Sequence, residues 1–339
     1  MQFGRMALDG ALGAVCVHSV RLPDGLVRKG TLLGEAEIGR LRAAGIEVVV
    51  AARLEPGDIG EDEAAARLAA AVAGPAVRVE KAFTGRANLY AEADGVLLLD
   101  EAAIVAVNGV DEAVTFATLP AHKAVVTGEM IGTVKIIPFA VPGGTLDKAL
   151  AATGGTALIR VAPFRLRKVG VVSTILPGLK PSVVRKTVSV LQQRLDPAGA
   201  RVLADFQTPH ETEPLAKALQ DLAAGESELL VVFGASAITD RRDVIPAAIE
   251  AAGGRVEHFG MPVDPGNLLL IGEIAGRPVL GAPGCARSPK ENGFDWILQR
   301  LLAQVPVRRA DIAALGVGGL LMEIVQRGQL REASPEGEE

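Results

Sequence analysis

Apolar positions in the first half of the chain come in short runs cut by turn residues, whereas in the second half they follow a regular alternation of strand, loop and helix. Residues 12–22 (LGAVCVHSVRL) alternate loosely between apolar and polar and end at Pro23, Asp24 and Gly25, which predicts a strand running into a turn. Leu32, Leu33, Ile38 and Leu41 recur at helical spacing and stop at Gly45, and Ile46 to Val50 then reads as a buried strand. An Ala-rich helix is expected through about Val72. The carboxylates before it, Asp58, Glu61, Asp62 and Glu63, read as capping and dipole-complementing groups rather than metal ligands. Residues 77–163 are richer in turns, with apolar runs at 95–99 and 134–139 and a helical stretch near 146–152, so residues 1–165 are expected to form a mixed α+β accessory region.

From residue 166 the pattern is simpler. A β-branched run at 169–174 leads into a loop and a helix through Leu195. Strands at 200–203 and 228–233 then alternate with helices at 213–223 and about 243–252. Such alternation predicts an α/β fold, a three-layer, mainly parallel sheet flanked by helices, over residues 166–305. Residues 306–339 are expected to hold a C-terminal helix and an acidic, disordered tail after Arg331.

Composition narrows the function classes. At 339 residues, two or more domains are the default. Aromatic residues make up 3% and the net charge is -5, which argues against a stacking surface for single-stranded nucleic acid and against polyanionic partners in general. The two cysteines, Cys16 and Cys285, have no metal-ligand spacing with the four histidines, and both read as reduced, partly buried thiols. No apolar run reaches the ~20 residues of a membrane span and no basic-then-apolar leader opens the chain, so a cytoplasmic protein is expected. A G-x-S-x-G elbow is absent, and Gly316-Val317-Gly318-Gly319 lacks dinucleotide-binding spacing and reads as a turn.

In a parallel α/β sheet, ligands meet the loops at the C-terminal ends of the strands. Three such loops hold the least ordinary residues. The first carries Ser173, Thr174, Pro177, Gly178, Lys180, Ser182, Arg185 and Lys186, hydroxyls and cations at a helix start suited to an anion. The second carries Gly234, Ala235 and Ser236, small residues that allow close approach, followed by Asp240 and Asp243, carboxylates available to a hard cation such as Mg²⁺. The third carries Gly281, Pro283, Gly284, Cys285, Arg287 and Ser288, and is preceded by Asp264-Pro265-Gly266-Asn267. Ser236 and Asp243 serve equally well as helix caps. Together the loops suit a phosphorylated small molecule.

The segment from about Val169 to Leu302 resembles the molybdopterin-binding domain shared by molybdenum-cofactor proteins of the MoeA and MogA type. The carrying residues are Gly234-Ala235-Ser236 for a G-G-[ST] loop, Arg242-Asp243-Val244-Ile245-Pro246, the Pro265-Gly266 turn, and Gly281-Ala282-Pro283-Gly284. The resemblance implies a site in which Ser173, Thr174, Gly178, Lys180, Gly234, Ala235, Ser236, Pro265, Gly266, Gly281, Pro283, Gly284, Arg287 and Ser288 bind molybdopterin. It also implies that Asp243 holds Mg²⁺, with Asp240 and Asp243 as catalytic groups. One function it implies is a molybdenumtransferase-like enzyme that uses ATP and molybdate for adenylyl transfer or molybdate insertion. The other is a non-catalytic carrier that hands the cofactor to an apo-molybdoenzyme. Ala235 in place of the second glycine, and Cys285-Ala286-Arg287 where the enzymes carry a P-G-N-P type of sequence, are departures that suit the carrier. Related MoeA-type proteins are dimers, so a homodimer is expected.

Overall fold

The computed structural model describes residues 1–321, and the chain divides into two compact α/β units, Met1–Pro163 and Phe164–Glu339. The acidic tail expected after Arg331 lies outside the described residues.

The first unit is built from small antiparallel sheets. Gln2–Ala7 and Val15–Cys16 flank Val48–Arg53, with Leu33, Leu41, Val49 and Ala51 in the core beside them. A second sheet runs in the order Val114–Thr118, Met130–Ile136, Arg86–Ala91, Val77–Val79. The helix Glu61–Val72 buries Ala64, Ala65, Leu68, Ala69 and Val72 completely, one apolar stripe at helical spacing.

Glu61, Asp62 and Glu63 stand in the first turn of this helix, where they complement its dipole as expected, but none of them caps it. Gly60 precedes the helix without a side-chain cap, Asp62 accepts from Gly85 N at 2.6 Å, and Glu61 pairs with Lys135 at 3.4 Å. These carboxylates hold the 83–86 loop, where Thr84 and Gly85 take left-handed φ of 49° and 71°. A side chain at Gly85 would meet Lys135 Nζ at 2.7 Å and Ile136 O at 2.8 Å, so the loop needs glycine there for space as well as conformation. Asn108 exchanges both hydrogen bonds with the Phe116 backbone at 2.7 and 2.9 Å.

The second unit opens with β1 (Lys168–Ile175), α1 (Pro181–Leu195), β2 (Arg201–Pro209), α2 (Thr212–Ala224) and β3 (Leu229–Phe233). It continues with α3 (Val244–Ala251), β4 (Arg255–Phe259), β5 (Leu270–Ile274), β6 (Arg277–Ala282), α4 (Gly293–Leu302) and α5 (Arg309–Ala314). The six strands form one sheet in the order β2-β1-β3-β6-β5-β4. Pairings β2·β1, β1·β3 and β3·β6 are parallel, while β6·β5 and β5·β4 are antiparallel. All five residues of β3 are buried, the continuous apolar run of a strand covered on both faces. Leu215, Leu219 and Leu222 of α2 and Ile245 and Ile249 of α3 share one core with Val172, Leu230, Val232, Leu270 and Val279. The antiparallel reversal comes from Ala275 and Gly276, whose φ of 50° and 76° turn β5 tightly into β6. The 316–319 turn follows α5, and Gly319 O accepts from Asp264 N at 2.8 Å.

Candidate functional site

The C-terminal ends of β1, β2 and β3 are joined through one hydroxyl. Thr174, next to last in β1 and 1% exposed, accepts the Ala235 N–H at 2.8 Å through Oγ1. The same oxygen lies 2.8 Å from Nδ1 of His210, the residue after β2, and the His210 N–H donates to Ile175 O at 3.0 Å. Thr174 therefore fixes the loop after β3 against the two neighbouring strand ends.

Beside this knot lies a narrow pocket lined by Ser173, Thr174, Leu179, Val184, Phe233 and Arg287. Its volume of about 10 Å³ is the room of one water, so a ligand could insert a single small polar group while its bulk lay over the rim. Ser173 is 3% exposed and its Oγ has no hydrogen-bond partner in the protein. Arg287 reaches in from the turn Gly284–Arg287 and donates to Gly234 O at 2.6 Å. Among the described residues it forms no ion pair with a carboxylate, and burial pushes its guanidinium below the ordinary arginine value. A half-buried cation without a counter-charge, next to an unpartnered hydroxyl, is chemistry that favours an incoming anion.

Lys180 is the residue before α1, whose first turns line the pocket through Val183 and Val184. Lys180, Arg185 and Lys186 are exposed, and Gly178 turns the preceding loop with φ of +87°. Gly234 is held by space: a Cβ there would lie 2.6 Å from Ser236 O and 2.8 Å from Ile245 Cδ1. Ser236 itself is exposed.

Several expected site residues have structural duties. Asp243 caps α3: its Oδ1 accepts from Val244 N at 2.8 Å and its Oδ2 from Thr239 N at 3.1 Å. Asp240 pairs with Arg242 at 2.8 Å, which holds its carboxyl down at about 2. Both carboxylates are thus engaged with protein donors, and among the described residues no three His, Cys, Asp or Glu side chains gather as a metal site. An Mg²⁺ here would have to share these two carboxylates with Arg242 and with the cap of α3. Pro265 and Gly266 lie against the start of α4, where Gly293 N donates to Pro265 O at 3.0 Å. Gly281 is buried in β6 under Ile238 and Leu270, and Pro283 is buried before the turn. Gly284 is exposed, and Ser288 O accepts from Arg194 at 2.6 Å. Cys285 Sγ lies 3.6 Å from Asn292 Oδ1, and burial raises both it and Cys16 above the ordinary thiol value.

Arg194 has no place among the sequence candidates, yet it organises the third loop. It pairs with Asp295 at 2.5 Å, with both side chains about nine-tenths buried, and donates to Ala286 O at 2.9 Å. Asp295 also accepts from Asn292 N at 2.8 Å in the capping box of α4. His210 is the other functional candidate that periodicity could not single out. Larger cavities of about 420 and 500 Å³ lie elsewhere in this unit, on β4 and β5 and on β2 and α2. There Glu257 and Glu273 pair with Arg255 and Asp221 with Lys217, while burial raises the Asp205 carboxyl above its ordinary value.

No family model matches the chain. No curated protein matches it either. Among solved structures it is similar to the molybdopterin biosynthesis MoeA protein from Pyrococcus horikosii, at 15% identity and a TM-score of 0.32, over 90% of this chain and 75% of that one. No helix of the described residues is long and apolar enough to cross a membrane.

Proposed function

We propose that the unit covering residues 166–305 binds molybdopterin or its nucleotide form over the ends of β1, β2 and β3, and serves molybdenum-cofactor assembly or delivery in the cytoplasm. The observation that carries a phosphorylated ligand is the half-buried, ion-pair-free Arg287 beside the buried, unpartnered Ser173 hydroxyl. The pterin itself rests on the motif resemblance at Gly234-Ala235-Ser236, Arg242-Asp243-Val244-Ile245-Pro246 and Pro283-Gly284. In this reading a phosphate oxygen enters the narrow pocket, Arg287 and Lys180 supply charge, and the ring system lies on the loops after β3 and β6.

Of the two modes, carrier and enzyme, the carrier is favoured because Asp240 and Asp243 are already committed to Arg242 and to the cap of α3. The carrier would pass its cargo to an apo-molybdoenzyme and self-associate as a homodimer, and the accessory region 1–165 would serve that assembly. Calorimetric titration with molybdopterin, with and without Mg²⁺, on wild type, Arg287→Ala and Lys180→Ala tests this reading. The expected result is binding independent of Mg²⁺ that Arg287→Ala weakens at least tenfold, the scale of a charge-assisted hydrogen bond of ~1.5–3 kcal/mol. Absence of binding to wild type overturns it. Turnover of ATP in the presence of molybdate and Mg²⁺ would restore the transferase.

A further inference from the structure

The six-stranded sheet of the second unit ends at β2, whose outer side has no neighbouring strand. Unpaired N–H and C=O groups on such an edge are a template for another strand. Elsewhere this chain covers its edges with side-chain amides. In the first unit Asn108 exchanges two hydrogen bonds with Phe116 of the edge strand Val114–Thr118. At the start of β2 the Gln192 amide does the same, accepting from Val202 N at 2.9 Å and donating to Ala200 O at 3.1 Å. The next stretch has no such cover. Asp205, Phe206 and Gln207 are consecutive and all exposed, and among the described residues no side chain meets the Asp205 or Gln207 N–H.

The alternation of a strand decides which groups point outward. Arg201 N donates inward to Arg167 O, and His210 N donates inward to Ile175 O. These residues are an odd number apart, and the bulge at Leu203, where the register with β1 skips one residue, accounts for the change of parity. Past the bulge Ala204, Phe206, Thr208 and His210 face β1, so both backbone groups of Asp205 and of Gln207 face solvent.

We propose that residues 205–207 form a self-association surface, on which β2 of a second copy of this chain pairs antiparallel with the two-fold axis at Phe206. In that register Asp205 exchanges both backbone hydrogen bonds with Gln207 of the second copy, and Gln207 does so with Asp205 of the second copy. On one face each carboxylate then meets an amide that donates to it. On the other, Phe206, 38% exposed, lies against its own counterpart. The neighbouring registers are poorer. Centring on Asp205 sets two carboxylates opposite each other, and centring on Gln207 brings Asp205 to Pro209, which has no N–H to donate. Nearer the start of β2 the Gln192 amide already occupies the edge. The surface would serve the homodimer proposed above, and it does not depend on the ligand. It is small beside the roughly 1,200–2,000 Å² of stable interfaces, so a concentration-dependent equilibrium is expected.

The test is sedimentation velocity of the full chain over a dilution series, with circular dichroism to show that each variant keeps its fold. Wild type is expected to pass from dimer toward monomer on dilution. Gln207→Asp sets carboxylate against carboxylate twice and should raise the dissociation constant about tenfold. The double variant Asp205→Lys, Gln207→Asp restores opposite charges and should return it to the wild-type range. Phe206→Cys should link into a disulfide dimer under mild oxidation, because the axis sets that position against itself at about 4.5 Å between Cα atoms. Leu203→Cys, set against Pro209, should not. A wild type that is monomeric throughout, a Gln207→Asp variant that associates as wild type does, a double variant without recovery, or a Phe206→Cys variant that links no better than Leu203→Cys overturns the proposal. Dimers that survive every variant would leave the functional reading intact and remove only this surface. Failure to bind molybdopterin would do the reverse.

Discussion

Thr174 joins three strand ends through one hydroxyl, and valine has its shape without that hydroxyl, so the replacement tests the knot with little change of volume. Thr174→Val keeps the shape and leaves the Ala235 N–H without its acceptor in a buried setting. A loss of about 1–3 kcal/mol is expected, read by urea denaturation of the second unit. A loss below a few tenths would mean that the loop after β3 is held by other contacts. Gly234→Ala probes the same loop from the other side. Its Cβ would press on Ser236 O, which is backbone and cannot rotate away, and about 1–3 kcal/mol of destabilisation is expected in the same assay. In the first unit, burial raises the Glu61 carboxyl above its ordinary 4.5, and Lys135 pulls it back only in part. The sign follows from linkage: a carboxyl raised in the folded state contributes stability that is full below 4.5 and is lost as pH rises through its native value. Glu61→Gln is therefore expected to gain melting temperature relative to wild type as pH is raised from 4 to 7. A gap that stays constant across that window would sink the assignment.

Among the elements, α4 and the third loop depend on one charge pair. Arg194 at the end of α1 and Asp295 in the first turn of α4 are about nine-tenths buried, so removing either partner strands the other. Arg194→Ala and Asp295→Ala are each expected to cost about 3–5 kcal/mol, with a cycle through the double variant showing strong coupling. This pair also marks where sequence reasoning stops. Periodicity found β1, α1, α2, β3 and α3 within a few residues, because Leu215, Leu219, Leu222 and the five buried residues of β3 each announce a face or a run. It could not find Arg194–Asp295, which joins residues 101 apart, nor the Thr174–His210 contact across 36, since no local pattern encodes either. The antiparallel β4 and β5 were equally hidden, because the Ala275-Gly276 turn lacks the Asn-Gly signature of a tight hairpin. At the site, cations and hydroxyls were legible as composition. That Arg287 forms no ion pair among the described residues, while Asp240 meets Arg242 and Asp243 caps α3, was not, because pairing is decided by tertiary geometry.

At the scale of the whole molecule, each unit carries its own core, and the chain between them is short. The strand Ile159–Pro163 pairs with Gly95–Leu99 in the first unit. Immediately beyond it, Arg165 N and Leu166 N donate to Leu302 O at 2.8 and 3.0 Å within the second. The change of allegiance thus takes place over a residue or two at Pro163 and Phe164. Units of roughly 160 residues can bury about 70% of the surface their unfolded chains expose, enough for independent stability. Residues 1–163 and 164–339 made separately are expected to give folded proteins, each with one cooperative thermal transition followed by far- and near-ultraviolet circular dichroism. If the second piece melts as it does in the intact chain and still binds molybdopterin, the ligand site is its own. If it unfolds without the first, residues 1–163 supply part of its stability, and the accessory region would have to be read as part of the binding machinery.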